Sequence, residues 1–141
     1  MRTLYILFLL LPICFSFSKQ NEIIEKQLHG IWEPIEYKEG VFIFKKKKRI
    51  RKKHQSYHFK NDEEIFMRLG GRMCGSNKTW YSDETAKWNI SSDSLLTIEH
   101  EYSTTIFKRN FKFLKIEDSQ LYLKKLEDEE IKKNDSVQQR L

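Results

Sequence analysis

The sequence predicts an all-β protein in which eight or nine antiparallel strands follow a short N-terminal helix and form an up-and-down barrel or a sandwich. Through most of the chain, apolar residues alternate with polar ones at a period of two, which is typical of half-buried strands. Clusters of serine, threonine and aspartate separate these segments at short intervals. Because such short connections join antiparallel neighbours, they favour sequential hairpins.

Residues 1–18 predict a signal peptide. Arg2 supplies a positive charge, an uncharged apolar stretch follows from Leu4 to Phe15, and Ser16 to Ser18 place small residues at a cleavage site. This stretch of about 12 residues is shorter than the ~20 that a membrane-spanning helix requires. We therefore expect an exported mature chain, periplasmic or extracellular, that begins near Lys19.

The two cysteines bear on processing and on stability. Cys14 follows the apolar stretch, where a lipoprotein would carry its lipid, but Ile13 before it is bulky for the processing peptidase. We interpret Cys14 as an apolar residue of the leader, with lipid anchoring as the alternative. Cys74 is then the one thiol of the mature chain, which predicts a fold held by packing without an internal disulfide.

The first half of the chain predicts one helix and five strands. Residues 20–28 form the helix, with Ile23, Ile24 and Leu28 along one side. Pro34 is expected to bend the first strand. The predicted strands are His29–Tyr37, Val41–Lys46, Gln55–Lys60, Glu64–Leu69 and Lys78–Ser82.

The second half predicts four strands rich in aromatic and branched residues. The alternation changes phase at Leu114 and Ile116, which indicates a β-bulge. Residues 19–127 are therefore expected to form one domain, and residues 128–141 a polar tail that is frayed or a short helix. The predicted strands are Thr85–Ile90, Leu95–Tyr102, Thr105–Ile116 and Gln120–Leu126.

Two stretches resemble a known family. The stretch from Leu28 through Gly30 to Trp32 follows the helix and opens the first strand, and it is similar to the glycine-x-tryptophan signature of lipocalins. The hairpin from Phe113 to Leu123 is similar to part of the small exported lipocalin-like domains of Bacteroidetes. The resemblance covers roughly residues 28–126. It implies an antiparallel up-and-down β-barrel of about eight strands, closed at one end by Trp32, that binds a small apolar or amphipathic molecule without catalysis. Many such relatives carry a second cysteine, which the mature chain lacks.

Several aromatic residues are candidates for contacts with such a ligand. A barrel of eight strands encloses one small molecule or is filled by its own side chains, and the alternation fits either outcome. Trp32 is expected to be structural. The candidate ligand-binding residues are Trp80, Trp88, Phe107, Phe111 and Phe113.

The positive charge is concentrated in residues 45–53, which we call the basic segment. The full chain has 26 basic and 20 acidic residues, a net charge of +6. Eight of the nine residues in the basic segment are Lys or Arg, so without it and Arg2 the chain has 17 basic and 20 acidic residues, a net charge of −3. The candidates for contact with an anionic surface are Lys45, Lys46, Lys47, Lys48, Arg49, Arg51, Lys52 and Lys53.

The basic segment has three interpretations. As a loop between two strands, it would hold lipopolysaccharide, lipid headgroups, acidic glycans or another polyanion. Alternatively, it is a solvated loop that keeps the domain soluble and contributes little to stability. Nucleic acid is disfavoured as a partner, because the chain is exported and the segment lacks aromatic residues for base stacking.

Motifs for catalysis and cofactors are sparse. Cys74 beside Arg72 would be an activated nucleophile, but no base lies nearby in sequence, and we interpret Cys74 as buried and inert. The four histidines lack the spacing of metal ligands, and no nucleotide or hydrolase motif is present. The sequence predicts a non-catalytic protein without metal or cofactor.

Overall fold

The computed structural model describes residues 21–61, 63–72, 74–75, 77–91, 93–102 and 104–132. The predicted leader, Cys14 and the end of the polar tail lie outside this range. Residues 21–28 are helical, and Ile24 and Leu28 face the core, whereas Ile23 is exposed. Among these residues no helix has the length and apolar character needed to cross a membrane.

Nine strands follow the helix within the described residues. Their positions agree with the predicted strands, except in the middle of the chain and in the tail. In chain order they are β1 (Gly30–Lys38), β2 (Val41–Lys47), β3 (Ser56–Phe59), β4 (Glu64–Arg72), β5 (Thr79–Ile90), β6 (Leu95–Tyr102), β7 (Thr105–Glu117), β8 (Gln120–Lys125) and β9 (Glu129–Lys132).

The predicted fold class is confirmed. Eight strands form a closed antiparallel barrel in the order β6-β5-β4-β3-β1-β2-β8-β7, and the pairing of β7 with β6 closes the ring. Two pairings in this ring join strands that are not consecutive in the chain, β1 with β3 and β2 with β8, because β1 lies between β2 and β3. The chain from residue 48 to residue 55 therefore crosses β1 on its way from β2 to β3.

Two predicted irregularities are confirmed. The register between β1 and β2 shifts between Pro34 and Glu36, as expected for a bend at a proline that cannot donate to the ladder. The register between β7 and β8 shifts between Phe113 and Lys115, where the alternation changes phase.

Two predicted boundaries were wrong. Residues 79–90 form one continuous strand instead of two, because β5 pairs with β4 without interruption from Thr79 to Lys87. The start of the tail is neither frayed nor helical. Residues 129–132 form β9 because the first half of β7 offers them an edge beyond the end of β8.

One end of the barrel, the closed end, is filled by side chains. The helix packs there, and Trp32 of β1 is 0% exposed. The indole Nε1–H of Trp32 donates a hydrogen bond to the carbonyl oxygen of Leu28 at 2.6 Å. Trp88 packs edge-on against Phe59, with ring centroids 5.1 Å apart. Trp32 therefore plugs this end of the barrel, as predicted.

Candidate functional site

Strands β5 and β6 separate partway along the barrel wall. They pair only from Lys87 to Ile90 on β5 and from Leu96 to Glu99 on β6. Before Lys87 the described part of β5 pairs with β4 alone, and after Glu99 the described part of β6 pairs with β7 alone. The wall consequently has an opening between these two strands.

Side chains bridge this opening in place of backbone hydrogen bonds. The hydroxyl of Tyr102 donates to Oε2 of Glu84 at 3.0 Å, and Nδ1 of His100 lies 3.5 Å from the same oxygen. The rings of His100 and Tyr102 stack with centroids 6.0 Å apart. Burial, and secondarily the charge of Arg109, lower the pKa of His100, so its imidazole is neutral near pH 7. Its Nε2 is buried without a hydrogen-bond partner among the described residues.

A polar layer thus crosses the barrel interior above the closed end. We define the layer as Tyr57, Glu84, His100, Tyr102 and Arg109. Burial raises the pKa of Tyr57, which keeps its hydroxyl protonated near neutral pH. Arg109 faces inward, since it shares a face of β7 with buried Phe111 and lies opposite buried Ile98.

The opposite end of the barrel, the open end, carries exposed aromatic side chains on inward-facing positions. Trp80 is 46% exposed and covers Gly71, where an added Cβ would lie 2.7 Å from the indole. Phe107 is 38% exposed and contacts Tyr102, with ring centroids 5.8 Å apart. Tyr37 is 60% exposed and packs on Phe42, with ring centroids 4.4 Å apart. Among the described residues, aromatic rings on the inner face of the barrel are therefore exposed to solvent at the open end.

The five candidate ligand-binding residues do not form one surface. Trp88 and Phe111 are buried in the core, and Phe113 packs against it. Trp80 and Phe107 lie at the open end, where they are partly exposed. Trp80 and Trp88 are eight positions apart on β5, a distance of about 26 Å along a strand.

A cleft of about 680 Å³ lies at the opening between β5 and β6. This volume is in the range of small-molecule sites. The cleft reaches inward to Ala86 and His100, so it connects the outer surface with the polar layer. The rest of its lining includes Glu63, Glu64, Lys87, Glu99 and Glu101.

No motif in the sequence predicted the residues of the polar layer as a site. Two of them were detectable, because His100 and Arg109 occupy positions that the strand alternation assigns to the apolar face. A charged or titratable residue at such a position has to be satisfied inside the barrel. Tyr57 and Glu84 gave no comparable signal, since only the pairing of strands places them beside the others.

The basic segment differs from the predicted solvated loop. Residues 45–47 belong to β2, and the rest crosses β1. Glu33 of β1 lies beneath this crossing and is 3% exposed. Arg51 binds its carboxylate through two hydrogen bonds, with Nε to Oε1 at 2.7 Å, and Lys47 Nζ lies 3.8 Å from Oε2. The segment is therefore not solvated throughout, because Arg51 and Lys47 contact a buried carboxylate.

Five exposed basic side chains of the segment form no ion pair with Glu33 or any other acid within the described residues. Lys46 differs from these, because it lies on the inward face and its Nζ is 5.0 Å from the centre of the Trp32 ring. A further pair, Lys112 and Lys124, lies directly opposite across β7 and β8 and is exposed. Like charges in this position repel each other unless an anion neutralises them. These five side chains of the basic segment are Lys45, Lys48, Arg49, Lys52 and Lys53, and Lys46 and Arg51 are exposed as well.

Cys74 is exposed, so its interpretation as a buried residue is wrong. It lies in the connection between β4 and β5, beyond the end of the barrel wall, where no core covers it.

Comparison with known proteins adds no relative. No model of a known family, no curated protein and no solved structure matches this chain.

Proposed function

We propose that the protein is an exported, non-catalytic binding barrel for a small amphipathic molecule. The apolar part of the ligand lies among the aromatic rings of the open end, and its polar part faces the polar layer. The observation that carries this proposal is the contrast between the two ends of the inner face. The closed end is filled by side chains such as Trp32, whereas Trp80 and Phe107 keep 46% and 38% of their surface exposed.

Exposed aromatic side chains on an inner face favour a ligand for an energetic reason. Each buried Å² of apolar surface contributes roughly 25 cal/mol of favourable free energy to binding or folding. Rings that remain exposed to water can therefore still contribute this free energy when a ligand covers them. Polar groups beneath the rings then fix the orientation of the ligand, as in most small-molecule sites.

The neutral fluorescent probe N-phenyl-1-naphthylamine is expected to bind the purified protein and to quench Trp80. The double substitution Trp80→Ala and Phe107→Ala should weaken this binding about 10-fold or more, since it removes the two rings that the probe would cover. Fluorescence titration of both proteins measures the change.

The matched control for this experiment is Leu114→Ala. Leu114 is 45% exposed, similar to Trp80, but lies on the bulge of β7, away from the open end. This variant should bind the probe like the parent. Equal weakening in the control, or no binding by the parent, would refute the proposed function.

A second candidate function is contact with an anionic surface through the basic segment. The specific observation in its favour is that five of its exposed basic side chains form no ion pair within the described residues, and that a like-charged pair, Lys112 and Lys124, lies across β7 and β8. Each basic residue near an anionic membrane contributes about 1 kcal/mol to binding. Lipid headgroups of lipopolysaccharide or phospholipid are the partner chemistry that this surface fits best.

Serine substitutions at Lys45, Lys48, Arg49, Lys52 and Lys53 are expected to abolish sedimentation with phosphatidylglycerol vesicles at low salt. The melting temperature should stay nearly unchanged, because Glu33 keeps both of its cations in this variant. Binding by the parent should weaken as salt rises, since exposed charges are screened over about 8–10 Å.

The control removes five lysines from other parts of the surface, namely Lys26, Lys87, Lys108, Lys125 and Lys132. It has the same net charge as the test variant, so overall attraction is matched. If the control loses vesicle binding to the same extent, net charge is responsible and the basic segment is not a specific contact.

A further inference from the structure

We infer that Arg109 anchors the anionic headgroup of the amphipathic ligand inside the barrel. This inference rests on the proposed function and specifies the chemical class of the ligand as a singly charged amphiphile, such as a long-chain carboxylate. The anchor lies on β7, below the aromatic rings of the open end.

The first support for this inference is the position of Arg109. It is partly buried on the inward face of β7, beside Phe111 and opposite Ile98, which are 8% and 2% exposed. An arginine that has lost part of its water requires acceptors for its five N–H groups. Within the residues that the structure describes, Arg109 forms neither an ion pair nor a hydrogen bond.

The second support is that Glu84, the acid of the polar layer, contacts Tyr102 and His100 and not Arg109 within the described residues. Oε2 of Glu84 accepts the hydroxyl of Tyr102 at 3.0 Å and contacts His100 at 3.5 Å. Glu84 forms no ion pair with Arg109 in the described part of the chain. The guanidinium therefore keeps its fork of donors for a group that comes from outside, and a carboxylate or sulfonate matches that fork in geometry.

The third support is the neighbourhood of Arg109. Its charge acts on Tyr57 and on His100, both of which are close enough for their titration to respond to it. Tyr57 is protonated near neutral pH and has no described hydrogen-bond acceptor, so its hydroxyl is a second donor to an anion. Phe111, two positions from Arg109 on the same face of β7, packs against Phe42 with ring centroids 6.1 Å apart, so Arg109 borders the apolar core.

The test compares two probes that share one fluorophore. 8-Anilinonaphthalene-1-sulfonate is anionic, and N-phenyl-1-naphthylamine is its neutral analogue. We expect Arg109→Gln to weaken binding of the sulfonate probe roughly 10- to 100-fold, because the variant loses a hydrogen-bonded charge pair. Binding of the neutral probe should change less than about 2-fold. Arg109→Lys should restore part of the loss, because it keeps the charge without the planar fork.

Further variants and ligands separate an anchor from a structural role. Tyr57→Phe keeps the ring and removes the hydroxyl, so it should weaken sulfonate binding alone. Dodecanoate should displace the sulfonate probe from the parent, whereas dodecanol should displace it much more weakly. The melting temperature of Arg109→Gln should be unchanged or higher, since a partly buried cation without a protein partner does not stabilise the fold.

Three results would overturn the inference. Equal loss of both probes in Arg109→Gln, or a lowered melting temperature, would mean that Arg109 supports the barrel structurally. Unchanged binding of both probes would mean that the anion does not reach it. If the parent binds neither probe, the proposed function fails together with the inference. In the other two results the parent still binds a probe, so only the inference on Arg109 fails.

Discussion

Replacement of Trp32 by alanine is expected to lower the free energy of unfolding by about 3–5 kcal/mol, the usual cost of truncating a buried tryptophan. The side chain is 0% exposed and closes the barrel where the helix packs. Its indole N–H also satisfies the carbonyl of Leu28 at the end of the helix. Alanine would leave a cavity, an unpaired carbonyl and a helix without its contact on β1.

Urea unfolding followed by circular dichroism measures this loss. Trp80→Ala is the matched control, because the same residue type is 46% exposed at the open end, and it should cost far less. Trp32→Phe keeps part of the volume but not the N–H, so it should lie between the parent and Trp32→Ala. Equal stability of Trp32→Ala and Trp80→Ala would contradict the role of Trp32 as the plug of the barrel.

The substitution Arg51→Ser is expected to have the second largest effect. It leaves the carboxylate of Glu33 beneath the crossing chain without its two hydrogen bonds from the guanidinium. An unsatisfied buried acceptor of this kind costs about 1–3 kcal/mol. Lys52→Ser, one position away on the exposed face, should leave the melting temperature unchanged.

The same pair predicts a pH dependence of stability. Hydrogen bonds from Arg51 hold the pKa of Glu33 below its ordinary value of 4.5, against the opposing effect of burial. A carboxyl with a depressed pKa contributes stability that is present above about pH 4.5 and is lost as the pH falls through its folded value. The difference in melting temperature between the parent and Arg51→Ser should therefore be largest above pH 4.5 and should narrow on acidification. A difference that is constant with pH would mean that Arg51 acts through packing.

Local patterns in the sequence predicted most of the strands, the bend at Pro34 and the bulge in β7. The alternation of apolar residues is a property of each strand, and Pro34 and Leu114 disturb it where they stand. The merging of two predicted strands into β5 was missed because Asp83 resembles a turn residue. In the structure Asp83 instead binds Arg68 of β4 through two hydrogen bonds of 2.6 Å.

The arrangement of strands around the barrel was beyond local patterns. No feature of residues 30–60 indicates that β1 lies between β2 and β3, because each strand is amphipathic in either arrangement. The burial of Glu33 depends on this order, since the crossing chain covers it only when β3 pairs with β1. The polar layer likewise depends on contacts between strands. Glu84 and Tyr102 meet across the opening, a contact that alternation along one strand does not encode.

The order of the strands also determines how the barrel is completed during folding. Strands β3 to β8 are joined by hairpins, so their pairing proceeds between neighbours in the chain with little loss of loop entropy. The ring closes only when β2 pairs with β8, where Val41 meets Lys124 and Phe44 meets Leu121 across most of the domain. Contacts between such distant parts of a chain form slowly. We therefore expect the pairing of β2 with β8 to form late in folding, and this pairing seals the barrel that Trp32 fills at its closed end.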